Sequence, residues 1–362
     1  MTMPCQTVHV DLADRGYEIE IGSGNLDHVG RLLTARGRVS HAVIITDDNV
    51  QEPHAIAVAE SLADASIRID LVSVPPGEST KAVETAAGLW NGLVDLGADR
   101  RSVVVAVGGG VVGDLAGFIA ATFARGVRFF QVPTTLLAQV DSSVGGKVGI
   151  NLPSAKNMVG AFKQPMGVLI DTATLATLPE REYRAGLGEV VKYGVILDAE
   201  LFAYLEGNIA ELLGRDDAVL GHVVAQCCRL KAQVVEQDEF EETGLRAVLN
   251  YGHTFGHALE TLGGYGELLH GEAVAIGMLC ASRLAERLGR IDASLTEQQH
   301  RLLAALGLPT EMPPVDVEKA LAAMMRDKKV QHGRLRFVLP SRLGHVELVG
   351  DVDPRDVHAA MV

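Results

Sequence analysis

Aromatic residues are scarce in this chain, 4% of the total with a single tryptophan. Small apolar residues and glycine must fill the interior instead, a composition that suits tight helix–sheet packing. Positive charge is also in deficit: 32 Lys and Arg face 46 Asp and Glu, for a net charge of −14. That balance argues against a general nucleic-acid surface, which needs clustered cations, but leaves room for a local basic pocket holding a small anion. Cysteine is limited to Cys5, Cys227, Cys228 and Cys280, with no Cys-x-x-Cys pair. This excludes a disulfide framework and fits a reduced, cytoplasmic setting, with Cys227 and Cys228 read as buried helix positions. Asp11, Asp14 and Glu18 come early, and no basic-then-apolar export signal precedes them. Long hydrophobic runs are missing too. The most membrane-like stretch, residues 103–124, is broken by Gly108, Gly109, Gly110 and Asp114. It reads as a buried strand, a turn and a helix, so no membrane partner is expected.

What is present begins with histidine. His253 and His257 stand one helical turn apart, and His270 follows after a short turn region. Residues i and i+4 share a helix face, so the first two imidazoles can point into one cavity, and the third can fold back to it. Glu189 offers a carboxylate from another segment. Two histidines and one carboxylate form a catalytic zinc set that leaves a coordination position open. The competing reading is a pair of satisfied histidines at a helix–helix contact.

A chain of 362 residues is long enough for two domains. The first part alternates strands and helices: strands at 41–46, 69–74, 102–107 and 128–133, helices at 53–65 and 80–96, and extra strands, as a hairpin, within 7–21. Such alternation predicts a parallel sheet covered on both faces. After Pro179 the pattern turns helical, over 181–213, 218–236, 252–262, 272–288, 296–306 and 317–326, with a short strand near 334–340. The expected plan is an α/β N-terminal domain over 1–178 and an all-α C-terminal domain over 179–362.

Gly108-Gly109-Gly110-Val111-Val112-Gly113-Asp114 follows a strand and opens a helix. Glycines there let the backbone approach a pyrophosphate at the helix N-terminus, the Rossmann-like arrangement. The acidic partner for a ribose stands at Asp47–Asp48–Asn49, after an earlier strand; either aspartate can instead cap the next helix. Residues 75–81 are a second turn into a helix. The stretch 133–157 is polar and glycine-rich; it is either a solvated loop or a functional one, and its length inside a compact domain favours function. Lys147, Lys156 and Asn157 suit a phosphate or polyhydroxylated ligand, and Arg125 adds a cation. Glu189 and Lys192 at i, i+3 form either a surface ion pair or a buried one, and their apolar flanks favour burial. Arg246, Asn250, His253 and His257 form one polar stripe if their helix reaches back that far. Asp327, Lys328 and Lys329 are a charge run of the kind usually found on a surface.

In combination and order these motifs resemble the 3-dehydroquinate synthase family, from about residue 47 to residue 329. The resemblance rests on Glu78-Ser79-Thr80-Lys81, the glycine run at 108–114, Pro133-Thr134-Thr135, residues 141–147, Lys156-Asn157, residues 188–194, residues 252–258 and 270–272. It implies the fold shared with glycerol dehydrogenase and iron-type alcohol dehydrogenases, one NAD, and one divalent metal, zinc or cobalt. Glu189, His253 and His270 carry over as the metal ligands. Asp47, Asn49, Glu78, Ser79, Lys81, Gly109, Gly110, Val111, Asp114, Thr134 and Thr135 carry over as the NAD set. Substrate contacts fall on Arg125, Asp141, Lys147, Lys156, Asn157, Lys192, Lys231, Arg246, Asn250 and Lys328. Among these, Lys147 and Lys192 can support developing oxyanions, with His257 as a proton relay to Glu242. Arg125 is implied to reach the neighbouring site of a homodimer. The implied reaction takes 3-deoxy-D-arabino-heptulosonate 7-phosphate to 3-dehydroquinate and phosphate. It runs through transient oxidation at C5, elimination, reduction, ring opening and aldol closure, with no net redox.

Three alternatives stand beside it. Another sugar phosphate cyclase, such as 2-deoxy-scyllo-inosose synthase or 2-epi-5-epi-valiolone synthase, shares most of the chemistry. A polyol dehydrogenase of the same fold would form NADH steadily from a simple alcohol. A nucleotide-binding regulatory protein would hold no metal.

Overall fold

A computed structural model describes residues 5–153, 155–263, 267–324 and 335–362. In chain order, strands β1 (Gln6–Val10) and β2 (Tyr17–Gly22) precede helix α1 (Val29–Ala35). Then come β3 (His41–Asp47), α2 (Ile56–Asp64), β4 (Arg68–Val74), α3 (Val83–Asp95), β5 (Val103–Gly108), α4 (Gly110–Thr122) and β6 (Arg128–Pro133). Strands β7 (Lys147–Leu152), β8 (Ala155–Phe162) and β9 (Val168–Asp171) complete the strand-rich part. Helices α5 (Glu180–Ile196), α6 (Ala199–Gly207), α7 (Ile209–Leu213), α8 (Asp217–Gln237), α9 (His253–Leu262), α10 (His270–Arg287), α11 (Ala293–Ala305) and α12 (Val317–Met324) follow. Strands β10 (Phe337–Arg342) and β11 (His345–Val349) and helix α13 (Pro354–Ala360) close the chain.

The chain divides into two compact units. One holds the residues up to Leu178 together with Leu220–Phe240; the other holds Pro179–Val219 and the residues from Glu241 onward. The segment Leu220–Phe240 therefore groups with the first unit, although its position in sequence suggested the helical half. Side chains explain this: Cys228 Sγ donates to Gln139 O at 3.3 Å, Lys231 Nζ to Asp141 Oδ1 at 2.7 Å, and Glu236 accepts from Asp11 N at 2.8 Å.

In the first unit the sheet order is β1-β2-β9-β6-β5-β3-β4, antiparallel only at the β1–β2 hairpin. Successive residues of β3 alternate between two cores. Val43 and Ile45 pack with Leu89 of α3 and Leu115 of α4, while Ala42 and Ile44 pack with Leu33 of α1 and Leu62 of α2. A strand buried on both faces reads as the continuous apolar run seen at 42–45. Because β4 and β5 lie on opposite sides of β3, the chain reverses direction between β3 and β5. Parallel sheets bind ligands at such a switch point, beyond the carboxyl ends of the strands.

Two features differ from the sequence expectation. The polar stretch 133–157 is not a loop: it forms a turn at Ala138–Ser142 and then the β7–β8 hairpin. The helix expected over 181–213 is three helices, because Asp198 accepts from the backbone of Glu200 and Leu201 and starts a new one. The second unit is helical as expected, apart from the antiparallel pair β10 and β11, the first of which overlaps the strand expected near 334–340. Among the described residues no helix is long and apolar enough to cross a membrane.

Candidate active site

In the second unit, α5, α9 and α10 meet at glycines. A Cβ on Gly188 would lie 2.6 Å from Gly271 O, one on Gly271 would run into Ala185 O, and one on Gly256 would lie 3.1 Å from Ala273 O. Gly252, with φ of +78°, turns the chain into α9, where a side chain would also meet Met278 N at 2.8 Å. Three of these glycines sit beside a donor: Gly188 before Glu189, Gly252 before His253, Gly271 after His270. Close helix approach therefore delivers the three side chains to one place.

His253 Nε2 and His270 Nε2 each lie 3.5 Å from Glu189 Oε1, and donor atoms of all three residues fall within 4.8 Å of one another. The other ring nitrogens are engaged: His253 Nδ1 with Tyr251 O at 3.1 Å, His270 Nδ1 with Glu260 Oε2 at 3.4 Å. Engaging Nδ1 presents Nε2 to the centre, the second layer of support that metal-binding histidines use. Tyr251 is itself anchored, its hydroxyl donating to Gln299 Oε1 at 2.7 Å. Glu272 accepts from Leu269 N at 2.8 Å and pairs with Arg181, which holds the start of α10 where His270 stands. Burial lowers the pKa of His270, but hydrogen bonds and charge from Glu189 and Glu260 outweigh it and push it up to about 10. A cation held at this position would take the place of such a proton. One carboxylate and two imidazoles suit zinc or cobalt.

Lys192 and Glu189 are both buried and form an ion pair, so the i, i+3 pair is interior rather than superficial. His257 is half-buried, its ring 5.4 Å from His253 and 6.1 Å from His270. The continuous polar stripe does not form. Arg246 and Asn250 belong to a separate short turn, Leu245–Asn250, cut from α9 by Gly252. Arg246 is buried near Glu241, and Glu242 is exposed on the bend before that turn. Lys328 lies outside the described residues.

In the first unit, Asp47, Gly109, Gly110 and Thr134 stand at or just past the carboxyl ends of β3, β5 and β6. Asp47 Oδ1 accepts from Asn49 N at 2.9 Å, so it shapes its own turn. Helix α4 begins at Gly110 with no side-chain cap. A Cβ on Gly109 would lie 3.0 Å from Thr135 Cγ2, and one on Gly110 3.0 Å from Ser142 Oγ. Among the described residues the buried Thr134 Oγ1 has no hydrogen-bond partner. An uncapped helix N-terminus, a backbone kept bare by glycine and an unpaired hydroxyl together fit a phosphate-bearing nucleotide. Val111 lies in the first turn of α4, and Ser79 is exposed in the turn Glu78–Thr80.

Lys81 is almost fully buried, donating to Asp114 Oδ2 at 2.7 Å and Asn157 Oδ1 at 2.6 Å. Asn151, which sequence reasoning passed over, donates to Glu78 Oε1 at 2.8 Å and accepts from Asn157 N at 2.8 Å. This web ties the hairpin to the Glu78–Lys81 turn. Lys231 Nζ also donates to Asp141 O at 2.7 Å. Lys156 is half-buried, while Lys147 and Arg125 are exposed. Arg125 and Asn157 adopt positive φ, +68° and +53°, a backbone strain that concentrates at working residues. Glu260 and Tyr251 also went unnoticed in sequence. Glu260 carried a weak signal, one turn after His257.

A doubly covered parallel sheet with a nucleotide-type crevice is joined in one chain to a Glu-His-His cluster on helices, and likeness to solved structures places this arrangement with the sugar phosphate cyclases. The solved structure of 2-deoxy-scyllo-inosose synthase, complexed with carbaglucose-6-phosphate, NAD+ and Co2+, matches at TM-score 0.90 and 28% identity over 98% of this chain and 99% of that one. That of 2-epi-5-epi-valiolone synthase from Streptomyces hygroscopicus, with NAD+ and Zn2+, matches at 0.87 and 29% over 95% of each. A probable glycerol dehydrogenase from Sinorhizobium meliloti shares the fold at 0.64 and 17% identity over 94% of each chain. Within that class the chain belongs to the 3-dehydroquinate synthase family. Residues 71–185 match the pattern described as 3-dehydroquinate synthase N-terminal, and residues 186–330 the C-terminal one. The 3-dehydroquinate synthase of Rhodopirellula baltica is 51% identical over 100% of this chain and 98% of its own length.

Proposed function

We propose that the chain is a 3-dehydroquinate synthase, a carbon–oxygen lyase that converts 3-deoxy-D-arabino-heptulosonate 7-phosphate to 3-dehydroquinate and phosphate with NAD and a divalent metal. The convergence of Glu189, His253 and His270, each histidine backed at its other nitrogen, carries the reading. Identity of 51% to a synthase, against 28% and 29% to cyclases acting on other sugar phosphates, favours the heptulosonate substrate.

Bound NAD supplies a reversible hydride acceptor, and the cation, zinc or cobalt, supplies Lewis acidity at the substrate hydroxyls. Glu189, His253 and His270 hold that cation. Asp47 and Asn49 serve the ribose, while Glu78, Ser79, Lys81, Asp114, Thr134 and Thr135 frame the nucleotide around the bare backbone of Gly109, Gly110 and Val111. Lys192 and Lys147 supply positive charge beside developing oxyanions. His257 moves a proton, with Glu242 as its outlet to solvent. Asp141, Lys156, Asn157, Lys231, Arg246, Asn250 and Lys328 orient the polyhydroxylated acid.

The protein works as a cytoplasmic homodimer in which Arg125 serves the neighbouring site. The exposed apolar side chains Leu152, Met158, Val159 and Phe162 on the β7–β8 hairpin support an interface. Mixing Arg125→Ala with Glu189→Gln should restore part of the activity; absence of rescue counts against the shared site. The decisive assay measures phosphate released from the heptulosonate phosphate, with and without chelator and NAD. Release that needs both, with no net NADH, is expected. Release only from other sugar phosphates, or steady NADH from a simple alcohol, overturns the reading.

A further inference from the structure

A second group of soft and hard donors lies in the first unit, among residues given no role above. The register of the first hairpin pairs Thr7 with Glu20 and Gln6 with Ile21, which sets Cys5 opposite Gly22. Side chains alternate along strands, so Val8, Ile19 and Ile21 enter the core while Cys5 and Glu20 share the outer face. His28 arrives on the turn that follows β2. Donor atoms of Cys5, Glu20 and His28 all fall within 4.8 Å of one another.

We propose that Cys5, Glu20 and His28 bind a second divalent cation of the zinc class at the outer edge of this sheet. A buried, unsatisfied side chain at the same spot supports it. Asn25 is only 3% exposed, yet among the described residues neither its Nδ2 nor its Oδ1 has a hydrogen-bond partner. A Cβ on Gly22 would lie 2.8 Å from Asn25 Nδ2 and 2.9 Å from Cys5 Sγ, so the amide and the sulfur converge over a glycine that leaves them room. An amide flip offers Oδ1 as a fourth, neutral donor.

His28 Nδ1 already pairs with Glu20 Oε1, and Arg31 Nη2 holds Glu20 Oε2 at 2.9 Å. The cation takes the place of the hydrogen between His28 Nδ1 and Glu20 Oε1, the neutral ring carrying its own hydrogen on Nε2 instead, and Arg31 stays on the outer oxygen as the orienting group. The Cys5 thiol releases its proton to solvent as the sulfur–metal bond forms. Thiolate and imidazole select zinc or cobalt over magnesium or calcium, which take oxygen ligands. Ligation ties the start of β1, the last strand of the sheet, to the turn after β2. An edge strand held in this way is less open to pairing with another chain.

The test is cobalt titration of the full chain after chelation. A thiolate-to-cobalt charge-transfer band in the near ultraviolet reports Cys5 alone, because Glu189, His253 and His270 include no sulfur and the other three cysteines are buried. The wild type should show the band and bind two cobalt ions per chain. Cys5→Ser should bind one and lose the band, with phosphate release unchanged. Glu20→Gln and His28→Gln should each weaken the band-forming step by about tenfold or more. His270→Ala should keep the band, which separates failure of this site from failure of the Glu-His-His centre. No band in the wild type, or a band that persists in Cys5→Ser, overturns the proposal.

Discussion

The two units hold their polar groups in different ways. In the second, Glu189, His253 and His270 each project from a helix, and the three helices touch through glycines where no side chain fits. In the first, the nucleotide-type set stands on turns beyond strand ends, and cross-links such as Lys81–Asp114 and Asn151–Glu78 hold the turns together. The contrast follows from the ligands. A cation needs donors placed to within a few tenths of an ångström, which rigid packed elements provide. A dinucleotide needs free backbone N–H groups and open space, which only chain ends and turns supply.

That contrast can be broken at four points. His270→Ala removes a donor without touching the helix contacts. Metal content and activity should fall together, activity by a hundredfold or more (about the loss of one key transition-state contact), while circular dichroism stays unchanged. Full turnover after chelation would falsify the metal role. Gly271→Ala leaves every donor in place but forces a methyl against Ala185 O. Overpacking of this kind should cost about 3 kcal/mol in denaturant unfolding and weaken metal binding in parallel; an unchanged midpoint would mean that the helices have slack.

Lys81→Met probes the cross-linked unit. Loss of the lysine's charged hydrogen bonds to Asp114 and Asn157 should cost about 2 kcal/mol and reduce NAD affinity. The pH dependence gives a second readout. Burial works against the charge of Lys81, but Asp114 and Glu78 outweigh it and raise its pKa above the ordinary 10.5. A raised cationic pKa contributes stability that is complete below about 10.5 and lost as pH climbs through the higher folded value. The variant should lack that alkaline phase, and a wild-type-like profile would remove Lys81 from the account. Glu260→Gln is the mildest change. It weakens the support of His270 Nδ1 and should lower metal affinity by about tenfold with little loss of stability, measured by competition with a chelator.

Much of this was legible in sequence, residue by residue. The apolar run at 42–45 predicted a doubly covered strand, and the glycines at 108–110 predicted the strand-to-helix turn. Spacing singled out His253 and His257 because a helix places i and i+4 on one face, and Glu189 entered as a carboxylate from another segment. Other features had no local signal. Whether the helix of His253 reached back to Arg246 and Asn250 stayed open in sequence, and the positive φ of Gly252 closes it by ending the stripe there. The hairpin at 147–162 was hidden by glycine and polar residues that disguise strand periodicity. Asn151, Tyr251 and Glu260 matter only through partners distant in the chain or across a turn.

Composition and periodicity by themselves determined the kind of protein: a reduced, acidic chain with a parallel sheet, a helical part and ligands for a cation. Those properties depend on neighbours in sequence, and short-range sterics and burial suffice to express them. Tertiary structure alone decided which donors meet and which nitrogen each histidine turns inward. It also decided that Leu220–Phe240 belongs with the sheet. Such outcomes depend on how closely separate helices approach, and that distance is a sum of packing contacts no single segment contains.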